Sequence, residues 1–297
     1  MRVNPDMSGD LVSQIWQTQT QQQTSLLELS TGKRVNKPSD DPLASAQMVA
    51  NSDQSSRTDQ YLHNVDTLTG QLQTADSALS SVVTAVTRAI SLGVQGSTGT
   101  VSDANRQQIA QDLVGIQAQV LQLANTEVNG TFLFGGTETT APPFTLDSTS
   151  ATGVTYNGND ATNSVQIADG LNVKTNMPGS QLFQGTNANI FGALQQLITS
   201  LQTGSTANAQ TATNQLRDAF DTLTSQRIFY GNTVNQLNST QTFLQQEKVS
   251  LSSQATNLIG ADITKSASDL TRAQTAYNAT LAAAAKILPT SLLDYLK

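Results

Sequence analysis

Residues able to do covalent or acid–base chemistry are few in this chain of 297 residues, and their spacing builds no catalytic group. His63 is the single histidine and there is no cysteine, so neither a multi-histidine nor a thiolate metal site can form. A serine–histidine pair would have to be built on His63. That residue opens a long amphipathic run, where a solvated or helix-packed histidine is the simpler reading. Asp40 and Asp41 could share a proton or a metal, but Asp41-Pro42 has the form of a helix N-cap followed by proline in the first turn. The glycines of NGTFLFGGT, residues 129–137, lack the lysine and the following helix of a phosphate loop. Its Phe132, Leu133 and Phe134 read instead as a short buried strand. The expectation is a chain that is not an enzyme and holds no cofactor and no metal.

Composition narrows the partners. The net charge is −7, and no cationic cluster exceeds Lys33, Arg34 and Lys37. A nucleic-acid groove needs a basic stripe to neutralise phosphates, so no nucleic acid is expected. No run approaches about 18 apolar residues, and the N-terminal MRVNPDMSGDLVSQIW lacks the apolar core and cleavage site of a secretory signal. No membrane and no cleaved leader are therefore expected. With 37% hydrophobic, 5% aromatic and 12% charged residues, long helices with narrow apolar seams fit better than a thick globular core.

The elements that would position any site follow from periodicity. Val65, Leu72, Leu79, Val86 and Gly93 stand seven apart, with Leu68, Ala75, Val82 and Ala89 as the companion row, predicting a helix over 59–93. A Gly/Ser/Thr stretch breaks it, and Ser102 or Asp103 would cap the next helix, with Ile109, Leu113, Ile116, Val120 and Leu123 as its seam. A third seam runs through Leu223, Tyr230, Leu237, Leu244, Leu251 and Leu258, with Arg227, Gln241 and Lys248 interrupting its second row. The register slips at Ile259, Gly260 and Ala261, predicting a boundary or bend. Residues 137–187 differ in character: alternating runs at 153–156 and 164–167 read as strands, and Asn157-Gly158 and Asp169-Gly170 as turns.

The two ends are Ala/Ser/Thr/Gln-rich and helix-compatible, with apolar stripes too thin for a domain on their own. The N-terminal segment carries Leu11, Ile15, Leu26, Leu27 and Leu29 around a polar QTQTQQQT tract. A tract disordered in the free chain and a helix that forms on assembly both fit. The last segment has Ile263, Leu270, Tyr277 and Ala284 in one row and Ala267, Leu281 and Leu288 in the other.

The segments STGKRVNKPSDDPLASAQMVA, NGTFLFGGT, VTYNGND, NMPGSQLFQG and the ending SLLDYLK together resemble the flagellin-like axial proteins of the bacterial flagellum. Pro38 and Pro42 bracketing the acid pair, and the SLLDYLK ending, favour the junction (hook-associated) branch over the filament subunit. The resemblance implies a mainly α fold with a β-rich insertion. Residues 1–38 and 260–297 would form a terminal coiled coil, 39–136 and 188–259 a long-helix bundle, and 137–187 a small outer β domain. It implies a structural subunit that joins the hook region to the flagellin filament, with a filament subunit as the alternative. A type III secreted translocator is the alternative of a different class. Implied partners are further copies of itself, hook-associated protein type 1, flagellin and an export chaperone, with an extracellular location reached without a cleaved signal. Leu11, Ile15, Leu26, Leu29, Leu270, Tyr277, Leu281 and Leu288 are the expected assembly interface. Lys33, Arg34, Val35, Asn36, Pro38, Asp40, Asp41 and Pro42 are the expected spoke between domains.

Overall fold

Heptad spacing and capping together set the helices. The computed structural model describes residues 7–185 and 188–295. Helix α1 is Met7–Thr31, α2 Pro42–Gly96, α3 Asp103–Ala124, and a strand-bearing stretch follows. It holds β1 (Glu127–Val128), β2 (Thr131–Phe132), β3 (Phe144–Leu146), β4 (Val154–Tyr156), β5 (Ser164–Ala168) and β6 (Leu171–Lys174). Next come α4 (Gly179–Phe183), β7 (Gln184–Gly185), β8 (Ala188–Asn189), α5 (Ile190–Gln202), α6 (Thr206–Ile259) and α7 (Ile263–Tyr295). The fold is mainly α with a small strand-bearing region, as expected.

Helix α2 starts at Pro42, where Asp41-Pro42 was expected as cap and first turn, and runs unbroken into the seam expected over 59–93. Its first turns, PLASAQMVANS, carry no heptad row, so periodicity alone misses them. Alanine propensity and the cap at Asp41 suffice to extend the helix. Ser102 caps α3, its hydroxyl accepting the Asn105 amide at 3.4 Å. The break between α6 and α7 falls where the register slips.

The chain forms two compact units: residues up to Arg57 with those from Glu247 onward, and Thr58–Gln246. Helices α2 and α6 contribute to both. In the second unit the predicted seams are the core: Val65, Leu72, Leu79, Val82, Val86, Leu113, Val120, Leu223 and Leu237 are buried. Arg227 and Gln241 interrupt the α6 row for a reason. Arg227 donates two bonds to the Asp76 carboxylate, at 2.9 and 3.0 Å, and Gln241 donates to Asp66. A forked Arg–carboxylate pair fixes register as well as adding attraction. Helix α2 contains one 18-residue window of mean hydropathy 1.4, longer in apolar character than the run-by-run reading suggested. Its apolar positions are those of a one-faced core helix.

Every strand pair is a two-stranded antiparallel hairpin: β1–β2, β3–β4, β5–β6 and β7–β8. Asp169-Gly170 joins β5 to β6 as expected, whereas Asn157-Gly158 follows β4 and joins no paired strands. A further two-residue hairpin turn lies at Asn129-Gly130, with φ of 53° and 76°. Of the expected Phe132–Phe134 strand only Phe132 lies in β2, which begins at Thr131; Phe134 continues inward and is buried. Two-stranded hairpins are marginal alone, and these do not stand alone. Phe134, Phe144, Val154, Ile167, Leu182 and Phe183 join the same apolar cluster as α2, α3, α5 and α6. Phe144 sits centrally, with ring centroids 4.9 Å from Tyr156, 5.4 Å from Phe183 and 5.4 Å from Phe191. Asn125 fastens the same point, accepting the Phe144 amide at 2.9 Å and donating to its carbonyl at 2.7 Å. Helix α5, not among the seams read from the sequence, is amphipathic, burying Ile190, Phe191, Leu194, Leu197, Ile198 and Leu201 while Gln196 and Thr199 stay exposed. Phe144→Ala should destabilise the chain by about 3–5 kcal/mol, measured by urea unfolding. A loss under about 1 kcal/mol would show that the hairpins are not part of this core.

Candidate functional site

Helices α1 and α7 pair along their length, and the residues between them are mostly small or polar. On α1 the seam is Leu11, Ile15, Thr18, Gln22, Ser25 and Leu29, alternating steps of four and three. On α7 it is Ser266, Leu270, Ala273, Tyr277, Thr280 and Ala284, with the same steps. That is heptad spacing on both sides. Yet the fully buried members are Ser25, Ser266, Ala273 and Ala284, while Leu11, Ile15, Leu29, Leu270 and Tyr277 are half-buried. Three of the polar members, Ser266, Thr18 and Thr280, bond nearby groups. Ser266 donates to Glu28 at 2.7 Å, and the Thr18 hydroxyl donates back to the Gln14 and Ile15 carbonyls. Small residues allow close approach but bury little apolar area.

The large apolar side chains lie beside this seam and face outward. Trp16 is 65% exposed, Leu26 57%, Val12 52% and Leu281 41%, with Leu27 and Ile263 also exposed. At 100° per residue, Val12, Trp16, Leu26 and Leu27 fall within about 100° of arc on α1. Of the expected interface, Leu11, Ile15, Leu29, Leu270 and Tyr277 therefore face the partner helix in part. Leu26 and Leu281 face outward, and the Leu288 side chain lies outside the described residues. Val12 and Trp16 were missed. The signal was present, since Trp16 is the only tryptophan and stands four residues after Val12.

The predicted spoke is where the two ends of the chain meet. Gly32, at φ 67°, ends α1 in the left-handed conformation, its amide bonded to the Glu28 carbonyl at 2.8 Å. Lys33 and Gly260 then form an isolated antiparallel bridge. The Arg34 amide donates to the Ile259 carbonyl at 2.7 Å, and the Ala261 amide to the Gly32 carbonyl at 2.9 Å. A Cβ at Gly260 would stand 2.3 Å from the Thr256 carbonyl oxygen, so only glycine fits this close approach. The Arg34 guanidinium bonds both the Leu258 carbonyl, at the end of α6, and the Asp41 carboxylate, each at 3.1 Å. A cation there also complements the negative end of the α6 dipole. Asp41 accepts the Ala44 amide at 3.0 Å, capping α2, whose first residue is Pro42. Asp40 accepts the amides of Asn36 and Lys37 at 3.0 and 2.8 Å. The Asn36 side chain donates to the Lys33 carbonyl at 2.7 Å, and Val35 is buried beneath the turn. Pro38 and Lys37 are exposed. The acid pair thus serves caps and turns. Among the described residues no group of acids and histidine could hold a metal ion.

The Ala44 amide, then the Arg34 guanidinium, hold the Asp41 carboxyl below its ordinary value of 3.8. A depressed folded-state value means that its contribution is full above the ordinary value and is lost as pH falls through the lowered one. Hydrogen-exchange protection at Ala44, expressed relative to intrinsic rates, should therefore drop between about pH 5 and pH 2. Asp41→Asn, which keeps a capping oxygen but no charge, should flatten that drop. An equally steep drop in Asp41→Asn would assign the effect to other carboxylates.

Known proteins supply the context for this arrangement. Residues 6–139 match the bacterial flagellin N-terminal helical region and residues 213–296 the bacterial flagellin C-terminal helical region. Flagellar hook-associated protein 3 of Salmonella typhimurium is 36% identical over 163 residues, covering 54% of this chain and half the length of that relative. Flagellar hook-associated protein 3 of Escherichia coli is 29% identical over 276 residues, covering 85% of this chain and 86% of the relative. The solved structure of flagellar hook-associated protein-3 from Legionella pneumophila superposes with a TM-score of 0.63, covering 70% of this chain and 98% of that one. At 14% identity it shows a shared fold. With both helical regions matched in order, at the two ends that pair here as α1 and α7, the chain belongs to the bacterial flagellin family, whose members are structural components of the flagellum rather than enzymes.

Proposed function

We propose that this chain is the self-assembling axial subunit that joins the hook region to the flagellin filament. The observation that carries the reading is the terminal hairpin, which turns Val12, Trp16, Leu26 and Leu281 outward while sealing itself with serine and alanine. A helix pair that leaves its largest apolar residues in water is stabilised when neighbouring subunits cover them. Burying one such side chain contributes about 1.5–3 kcal/mol, and an assembly repeats the term at every interface. The expected interface is extended to Val12 and Trp16 and keeps Leu11, Ile15, Leu26, Leu29, Leu270, Tyr277, Leu281 and Leu288.

The remaining assignments rest on the likeness to hook-associated protein 3. The partners are further copies of this chain, hook-associated protein type 1 on one side and flagellin on the other. Before assembly a flagellar export chaperone holds the C-terminal helical region. Export proceeds without a cleaved signal, and the marginal seam keeps the ends easy to unfold for it. Residues 1–38 with 260–297 act as the terminal assembly domain, 39–136 with 188–259 as the bundle, and 137–187 as an outer domain that leaves the axial contacts to the helices.

Deleting the gene should leave hooks without filaments while flagellin is shed into the medium; loss of flagellin itself from the medium would identify a filament subunit instead. Trp16→Asp and Leu281→Asp should each abolish filaments, with the purified monomer's stability changed by no more than about 0.5 kcal/mol, as for other exposed positions. A monomer strongly destabilised by either change would place these residues in the free chain's own packing and count against coverage by neighbours.

A further inference from the structure

The net charge of −7 is unevenly distributed. The unit Thr58–Gln246 contains twelve carboxylates and five cations, whereas the remainder of the chain balances at ten of each. Within that neutral part lies the cationic cluster Lys33, Arg34 and Lys37. Arg34 is engaged by Asp41 and the Leu258 carbonyl, and Asp40 beside Lys37 by two backbone amides. Among the described residues neither Lys33 nor Lys37 has an ion-pair partner. Both line an open pocket of about 330 Å³ whose other walls include Val35, Met48 and Ile259. The pocket thus offers two unpaired ammonium groups above an apolar wall.

We infer that this pocket receives an acidic–apolar helix face from the Thr58–Gln246 unit of a second copy of this chain, centred on Asp218 and Asp221. This rests on the self-assembly reading and deepens it by naming a polar contact beside the apolar one. Asp218, Asp221 and Ile228 are exposed and fall at steps of three and seven on one face of α6, which also carries Arg217, whose guanidinium donates to Asn214 at 3.3 Å. Neither aspartate has an ion-pair partner among the described residues, and Ile228 is 61% exposed. Two carboxylates followed by one apolar side chain match two ammonium groups followed by an apolar wall. Charge complementarity of this kind sets register and suppresses wrong pairings more than it adds affinity. The apolar stripe of the terminal hairpin carries no charge pattern to set that register itself.

The test is a charge swap in cells lacking the native gene, scored as the fraction of hooks bearing filaments. Wild-type chain restoring no filaments would sink the axial reading itself. With wild type active, Lys33→Glu/Lys37→Glu and Asp218→Lys/Asp221→Lys should each lower the fraction by about tenfold or more. The chain carrying all four changes is self-complementary again and should recover most of it. Melting of each purified variant should match wild type, because the four side chains are exposed. Loss with the lysine pair alone would mean that the pocket takes a carboxylate from another flagellar protein, and overturns the proposal. Failure of the fourfold variant to recover, with melting unchanged, overturns it equally.

Discussion

The small-residue seam between α1 and α7 is the constraint on which the rest of the molecule's behaviour depends. Two helices of 25 and 33 residues could bury a continuous row of leucines, as coiled coils do. Here Ser25, Ser266, Ala273 and Ala284 occupy the closest points. The pair is held by modest burial and by bonds such as Ser266 to Glu28, so its stability in isolation is low. The same choice leaves Val12, Trp16, Leu26 and Leu281 available at the surface. Low self-sufficiency and an unsatisfied apolar stripe are two faces of one sequence decision, and both suit a subunit completed by its neighbours.

A weak hairpin still has to be launched in one register, and the crossing segment does this. Lys33 and Gly260 pair as backbone, Arg34 bridges the end of α6 to the cap of α2, and Asp41 closes the arrangement. Each group meets two partners, so the local geometry is over-determined. Both Arg34 bonds come from one guanidinium nitrogen, Nη2, whose two N–H groups meet the carbonyl and the carboxylate. The Thr58–Gln246 unit, by contrast, carries a large apolar core of its own, from Val65 through Phe144 to Leu237.

Much of this was legible as periodicity and punctuation. The seams of α2, α3 and α6 could be read from seven-residue rows, the α6–α7 break from a register slip, and the cap at Asp41-Pro42 from two residues. That cap gives the start of α2; what periodicity missed is its unbroken run from Pro42 to residue 59, where alanine propensity extends the helix without any heptad row. Helix α5 was legible in principle, since Ile190, Phe191, Leu194, Leu197, Ile198 and Leu201 follow the helical period with Gln195, Gln196 and Thr199 between them. Its 13 residues are too few for repeated seven-residue rows. The hairpin seam escaped because its closest contacts are Ser and Ala and its middle is Thr18 and Gln22, residue types that mark surface elsewhere. Of the two rows expected on the last helix, Leu270, Tyr277 and Ala284 of the first line the seam although Ile263 at its head is exposed, whereas Leu281 of the companion row faces outward. Periodicity finds a helix's apolar stripe but does not say which partner covers it.

Trp16, the only tryptophan and 65% exposed, reports directly on whether the outward stripe is covered by neighbours. Chain labelled with a fluorotryptophan carries a single probe, at that position, whatever other proteins are present. Its fluorine signal and its access to a soluble quencher can be compared between the free chain and the chain incorporated at the hook end. Coverage by neighbouring subunits predicts a solvent-exposed probe in the free chain, and a shifted, quencher-protected one in the assembly. A probe equally accessible in both states would contradict the account.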